Sequence, residues 1–369
     1  MPSEKITALY SQHTRSLQRL GASYGNDVIP YLNAIDIAVQ AVFRKYSGRG
    51  VTQNNREAII KQINLVAKEQ LQLYVNALKK DHKSVGASES VFAVDTMKST
   101  VEADIDLKTP SSAQVNALAI STPVQLGEKA FTSYNSMMSN YWQKWTAEID
   151  GIVMSGFTTG QTIDEIADNI YPQLRLTASD TSDNVLNRAK RSARQLAITG
   201  TNHYANQATI AFVSENDDQI KGYRFLAVLD SRTSSFCRPL DQKVFAKDDP
   251  RLSRVTPPRH PNCRSRLVYE VDDRYKLDTK DSKRASNFDV DGKADPKQVS
   301  SDGIYYQKMK QLSASDQDAI LGPTLGKAFR KLDNPEQFAR LTVDSLSYPL
   351  TISEMKKRDN ALSRILNNM

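Results

Sequence analysis

Along "NREAIIKQINLVAKEQLQLYVNALKK" the apolar residues recur at steps of three and four: Ile60, Ile63, Ala67, Leu71, Tyr74 and Leu78 form one stripe between charged and amide side chains. That period predicts an amphipathic helix. The stretch "FTSYNSMMSNYWQKWTAEI" repeats it with Phe131, Tyr134, Met138, Tyr141, Trp145 and Ile149. A stripe of this kind reads as the buried face of a bundle helix in preference to a groove for a partner helix or a stack of bases. In "GFTTGQTIDEIADNI", Thr162 and Glu165 have the spacing of a capping box, in which each side chain satisfies a free N–H of the first turn. Gly156 and Gly160 suit the turn before it. A further helix is predicted over "DNVLNRAKRSARQLAITGTNHYANQATIAFV", so residues 1 to about 215 read almost wholly helical.

At Tyr223 the pattern changes. "YRFLAVLD", "KVF" and "RLVYEV" are short apolar and aromatic runs bounded by turn residues, which predict strands. Residues 216–273 therefore read as a small mixed α+β core with irregular loops, a unit with so little apolar interior that it would gain from a staple. Residues 274–302, "RYKLDTKDSKRASNFDVDGKADPKQVSSD", are polar and nearly free of large apolar residues, and read as a linker. Residues 303–369 read as a helical tail, in which Ser313 with Asp316 and Thr351 with Glu354 again have capping-box spacing. The expected organisation is mainly α: an N-terminal helical region over 1–110, a helical region over 111–215 leading into the mixed core at 216–273, the polar linker and the tail. No internal repeat is seen.

Bulk composition narrows the class. The chain has 369 residues, 39% hydrophobic and 25% charged, with mean hydropathy −0.51. No run approaches the roughly 20 apolar residues that span a bilayer. "MPSEKITALY" lacks the apolar core of a signal peptide, which leads us to expect a protein made and used in cytosol. Two cysteines exclude a disulfide framework. A net charge of +7, from 49 basic and 42 acidic residues, permits nucleic-acid contact without requiring it. Arg188, Lys190, Arg191 and Arg194 lie close enough on one helix to touch phosphates, or to form a solvated face.

The chemistry concentrates in "LDSRTSSFCRPLDQKVF" and "TPPRHPNCRSRL". Cys237, His260 and Cys263 are ligand types suited to Zn²⁺, which takes four at tetrahedral angles. A ribbon-like site would place a second cysteine three residues from the first, and Ser234 stands there, a poor ligand when neutral. Asp230, Asp241 or the distant His203 could take the fourth position. Three readings stay open on these residues: a structural zinc, a catalytic zinc with bound water and Asp230 or Asp241 as base, and metal-free packing. The sequence has no HExxH and no HxE with PCxxC.

In order and spacing, these two stretches resemble the core of the phage Mu F-type minor head proteins, or head-morphogenesis proteins. The resemblance rests on Leu229, Asp230, Arg232, Thr233, Cys237, Leu240, Asp241, Val244 and Phe245, then on Pro257, Pro258, His260, Pro261, Asn262, Cys263 and Arg264. "GFTTGQTIDEIADNI" and, after the core, "IYYQKMKQLSASDQDAILGPTLGKAFRKL" are similar to the family's flanks, so the likeness spans roughly 150–360. The chain departs from the family at Ser234, where many members have the first Cys of Cys-x-x-Cys, and at Gly200, where an acidic residue is expected.

The resemblance implies a non-enzymatic, low-copy protein of a tailed-phage head, located in the virion at the capsid interior or portal vertex and in host cytoplasm during assembly. The implied partners are the portal protein, other capsid or scaffolding proteins and packaged double-stranded DNA, with no membrane during assembly. The N-terminal helices would dock on the portal, and the protein would act in capsid assembly, with a part in DNA packaging or ejection. Two rivals are carried from the residues themselves: a metal-dependent hydrolase or nuclease built on Cys237, His260 and Cys263, and a non-catalytic DNA-binding module built on Arg188, Lys190, Arg191 and Arg194.

Overall fold

A computed structural model of the chain describes residues 4–47, 52–128, 130–170, 185–277, 282–332 and 334–367. The helical half comprises α1 (Glu4–Asn26), α2 (Ile29–Tyr46), α3 (Gln53–Lys98), α4 (Ser112–Ser121), α5 (Tyr134–Thr158), α6 (Ile163–Ile170) and α7 (Val185–Glu215). Thr52 caps α3 by accepting from the Asn55 amide at 3.2 Å. Ile63, Ala67, Leu71, Tyr74 and Leu78 are buried along α3, as the period predicts, whereas Ile60 is half-buried and its neighbour Ile59 takes the buried place. On α5 the residues Tyr134, Met138, Tyr141, Trp145 and Ile149 face the same interior, so the aromatic stripe is core. Phe131 is the exception. It lies before α5 in β2 (Phe131–Thr132), paired with β1 (Val124–Gln125), and is 41% exposed. The Thr162–Glu165 capping box forms as expected, with Glu165 accepting from the Thr162 amide at 2.7 Å and Thr162 from the Glu165 amide at 3.2 Å.

The axis of the molecule is α7. The helix expected from Asp183 is described from Val185 onward, its first two positions lying outside the described residues. From Leu196 to Val213 almost every side chain is buried, the mark of a helix covered all round. Its buried apolar residues up to Ala211 belong to the core of the helical half, where α1 and α3 are its main neighbours, while Phe212 and Val213 belong to a second core built with the sheet. That sheet has the order β5-β3-β6: β3 (Ile220–Leu226), with β5 (Val244–Ala246) and β6 (Arg266–Val271) antiparallel on either side. These are the three predicted strands. A two-residue strand, β4 (Leu229–Asp230), and the one-turn helix α8 (Leu252–Val255) lie in the loops.

The polar stretch at 274–302 is not a linker over its described residues. Strands β7 (Lys283–Val290) and β8 (Lys293–Ser300) form a hairpin, with β4 parallel to β7 on its other side. Asp291 and Gly292 make the turn with φ of 49° and 75°, the double left-handed conformation of a tight two-residue hairpin. The composition misleads for two reasons. β8 is an edge strand, largely exposed and holding Pro296, which an edge tolerates. On β7 the fully buried Arg284 is matched to the buried Asp241 by two hydrogen bonds of 3.0 Å. Residues 278–281, within the same stretch, lie outside the described residues.

The tail forms six short helices, α9 (Tyr305–Met309), α10 (Ala314–Leu321), α11 (Pro323–Lys331), α12 (Pro335–Leu341), α13 (Ile352–Arg358) and α14 (Asn360–Asn367). They close around Tyr305, Tyr306, Phe329 and Phe338. Ser313 caps α10, and Thr351 with Glu354 forms the predicted box on α13. The chain is thus mainly α with a small strand-containing middle. Among the described residues no helix is long and apolar enough to cross a membrane.

Buried ion pairs join these parts. Arg266 on β6 donates to Glu89 on α3 at 2.8 Å and to the Ala205 carbonyl on α7 at 3.2 Å. Arg224 on β3 donates to Glu270 on β6. Such pairs add little net stability over apolar packing, but each is costly to break from one side.

Candidate metal centre and cationic groove

Two turns bring the ligand types together. After β4, Asp230 accepts from the Arg232 amide at 3.1 Å, and the Ser234 carbonyl accepts from the Cys237 and Arg238 amides, both at 3.0 Å. The chain then folds so that Ser234 and Cys237 face one point. The second turn is His260-Pro261-Asn262-Cys263, closed by the Cys263 amide on the His260 carbonyl at 3.1 Å. Asn262 sits at φ 58°, a left-handed position that asparagine tolerates. Its amide donates to Thr199 of α7 at 3.1 Å, and Asn202 of α7 donates to the Cys263 and Ser265 carbonyls at 2.8 and 3.1 Å. On the other side the wholly buried Arg259 donates to the carbonyls of Phe236, of Arg254 (3.2 Å) and, in the tail, of Ser347 (2.8 Å).

Within this frame Cys237 Sγ lies 3.8 Å from Cys263 Sγ and 3.5 Å from His260 Nε2. Both cysteines are free thiols and buried. Two sulfurs on one tetrahedral zinc stand about 3.8 Å apart, and a sulfur and an imidazole nitrogen about 3.6 Å, given bonds of about 2.3 and 2.05 Å. Both distances are therefore those of ligand pairs on one zinc, and the three atoms lie within 4.8 Å of one another. His260 Nδ1 lies 2.9 Å from the Pro261 carbonyl, which can only accept, so Nδ1 carries the proton and Nε2 presents its lone pair to the sulfurs.

Burial pushes the Cys263 thiol up, but the contact with Cys237, hydrogen bonds to the backbone of Arg259 and Ser265 and the Arg259 guanidinium outweigh it and hold it at about 6. Cys237 is driven well above the usual thiol range by burial and by Cys263. Burial lowers His260, but its contact with Cys237 more than reverses this.

The fourth position is not supplied by the expected residues. Asp230 is held by Arg264, through Nη2 at 2.8 Å and a second, shorter contact. Asp241 is bound to Arg284 and accepts from the Ala227 amide at 2.9 Å. His203 Nε2 lies 2.8 Å from the Ala119 carbonyl. Among the described residues only Cys237, His260 and Cys263 form a group that could hold a metal ion. Ser234 Oγ is 2.7 Å from His260 Nε2, a hydrogen bond and closer than two ligands on one zinc would stand. The paired states of Asp230 and Asp241 give no support to a base for metal-assisted hydrolysis.

Ser234 and His260 also border a groove of about 980 Å³. Arg188, Arg191 and Arg194 of α7 line it, and Arg188 is paired with Glu148 of α5 at 2.5 Å. Lys190 does not line it and is buried at 7% exposure. The groove adds Lys144 of α5, Arg232 of the first turn and Arg264 of the second, none of which local sequence spacing could group with α7.

Neither a curated protein nor a solved structure matches the chain. Residues 147–268 match the family model described as Phage Mu protein F like protein. The match does not extend over the tail that resembles the family's C-terminal flank. The part of the chain that carries α7, β3, β5 and the Cys237–His260–Cys263 centre is thus the part similar to that family.

Proposed function

We propose that the chain is a structural minor head protein of a tailed bacteriophage, which binds the portal and acts in capsid assembly. The observation that carries this reading is the Phage Mu F-like match over 147–268, which supports a role in head morphogenesis. Co-purification tests it: the tagged chain expressed with the portal of the same phage is expected to elute as one complex. Separate elution at micromolar concentrations of both would contradict portal binding.

The metal centre is a staple in this reading. Cys237, Cys263 and His260 Nε2 would hold one structural zinc, with a solvent oxygen completing the set. The support is the spacing of the three donor atoms, the tautomer set by Pro261 and the Arg259 cation beside the thiols. When bound, the ion cross-links the two loops at the edge of the core built with the sheet.

A further inference from the structure

We propose that the groove between α5, α7 and the two turns of the metal centre binds the phosphodiester backbone of nucleic acid without reading its sequence. Among the described residues six basic side chains line it, Lys144, Arg188, Arg191, Arg194, Arg232 and Arg264, with Glu148 as the lining carboxylate and Asp230 paired with Arg264. They come from separate elements that the fold brings together, so the charge is concentrated in a concave site instead of spread along a helix. Concave clustering of one sign raises the local potential and the local concentration of the opposite ion.

The side-chain types narrow the ligand. Five of the six are arginines, whose planar forks match phosphate oxygens bidentately. Arg188 and Arg264 are already engaged with Glu148 and Asp230, which holds their guanidiniums in place at the wall. Lys144, Arg191, Arg194 and Arg232 are exposed at the mouth. Among the described residues no Phe, Tyr or Trp lines the groove and its apolar lining is little more than Ile198 and Pro261; its one ring, His260, is held by Ser234 and Cys237, so the groove offers no aromatic platform for successive bases. The same poverty disfavours an acidic peptide, whose recognition would draw on apolar and aromatic contacts as well as charge. A repeating anion contacted through its backbone alone is what remains.

The proposal stands apart from portal binding, and failure of either leaves the other intact. The test is binding of a 30-base-pair DNA duplex to the full chain across a range of salt. The expected result is an affinity that falls with salt, at a log–log slope of about −3 to −4 for roughly four phosphate contacts. Arg191→Gln/Arg194→Gln/Arg232→Gln should weaken binding at least tenfold and flatten the slope by about 2 to 3. The charge-keeping Arg191→Lys/Arg194→Lys/Arg232→Lys should retain most of the slope. As a control, Arg274→Gln/Lys293→Gln/Lys297→Gln removes equal charge elsewhere and should change neither. All three variants should unfold at the parent temperature, since the substituted residues are exposed. No binding at low salt, equal losses in the glutamine and control variants, or binding of polyglutamate in place of DNA would each overturn the proposal.

Discussion

The His82 ring lies directly over Gly200: a Cβ built on Gly200 would fall 2.1 Å from His82 Cε1 and 2.6 Å from Nδ1. The ring cannot easily retreat. Its Nδ1 is 2.8 Å from the Tyr134 hydroxyl and its Nε2 3.1 Å from the Ala197 carbonyl, so three helices meet at one imidazole. This explains a glycine in the middle of a long helix, where the related pattern has an acidic residue. Glycine-to-alanine in a helix interior normally gains about 1 kcal/mol. Here Gly200→Ala is expected to cost about 2 to 3 kcal/mol through overpacking, read as a lower midpoint in urea unfolding. A variant as stable as the parent would mean that the helices are not this close.

Acid sensitivity follows from the same interior. Burial holds His82 at about 3 and His203 at about 4, both below the ordinary imidazole value. The unfolded chain therefore takes up protons near pH 6.5 that the folded chain refuses, and stability is lost as pH falls below that point until the folded values are reached. Between pH 7 and 5 each ring should account for about 2 kcal/mol. His260 is shifted upward and works in the opposite direction, so the comparison is of parent with His82→Gln/His203→Gln. The double variant should lose markedly less stability over that interval; parallel curves would contradict neutral, buried rings.

The Arg284–Asp241 pair gives a cleaner sign test. Arg284→Ala leaves a buried carboxylate with only the Ala227 amide and is expected to cost about 3 to 5 kcal/mol. Arg284→Met combined with Asp241→Leu should recover a large part of that loss, because the apolar pair removes the stranded charge. A single variant with no loss would show that the hairpin does not depend on the pair.

These interior polar contacts also mark where the sequence stops being legible. The stripes on α3 and α5, the cap at Thr162 and the three strands of the central sheet could be read because periodicity and capping act within a few residues. The hairpin at 283–300 could not be read from composition, since its buried position is an arginine whose partner lies some forty residues upstream. Its one local signal, Asp291-Gly292, was outweighed by the polarity of an edge strand. At the metal centre the ligand types were legible and their meeting point was not: Asp230 and Asp241 have the chemistry of a fourth ligand, but arginines from other strands and loops take them. The cationic groove was half visible, as the α7 arginines, while Lys144, Arg232 and Arg264 join only through the fold.

The staple has its own signature. Native mass measurement of the reduced chain is expected to show one additional zinc, removed by a chelator together with a drop in unfolding temperature. His260→Ala should lose the metal, and Cys237→Ser should weaken it, with unfolding lowered in both. A bare mass in zinc-supplemented buffer would mean that Arg259, Asn202 and the prolines hold the loop unaided.

The head-protein reading itself is tested most directly by the protein composition of purified phage heads. This chain is expected in the heads, substoichiometric to the major capsid protein and retained with the portal after the shell is dissociated. Absence from heads and from portal complexes, with the chain found only free in the lysate, would contradict it.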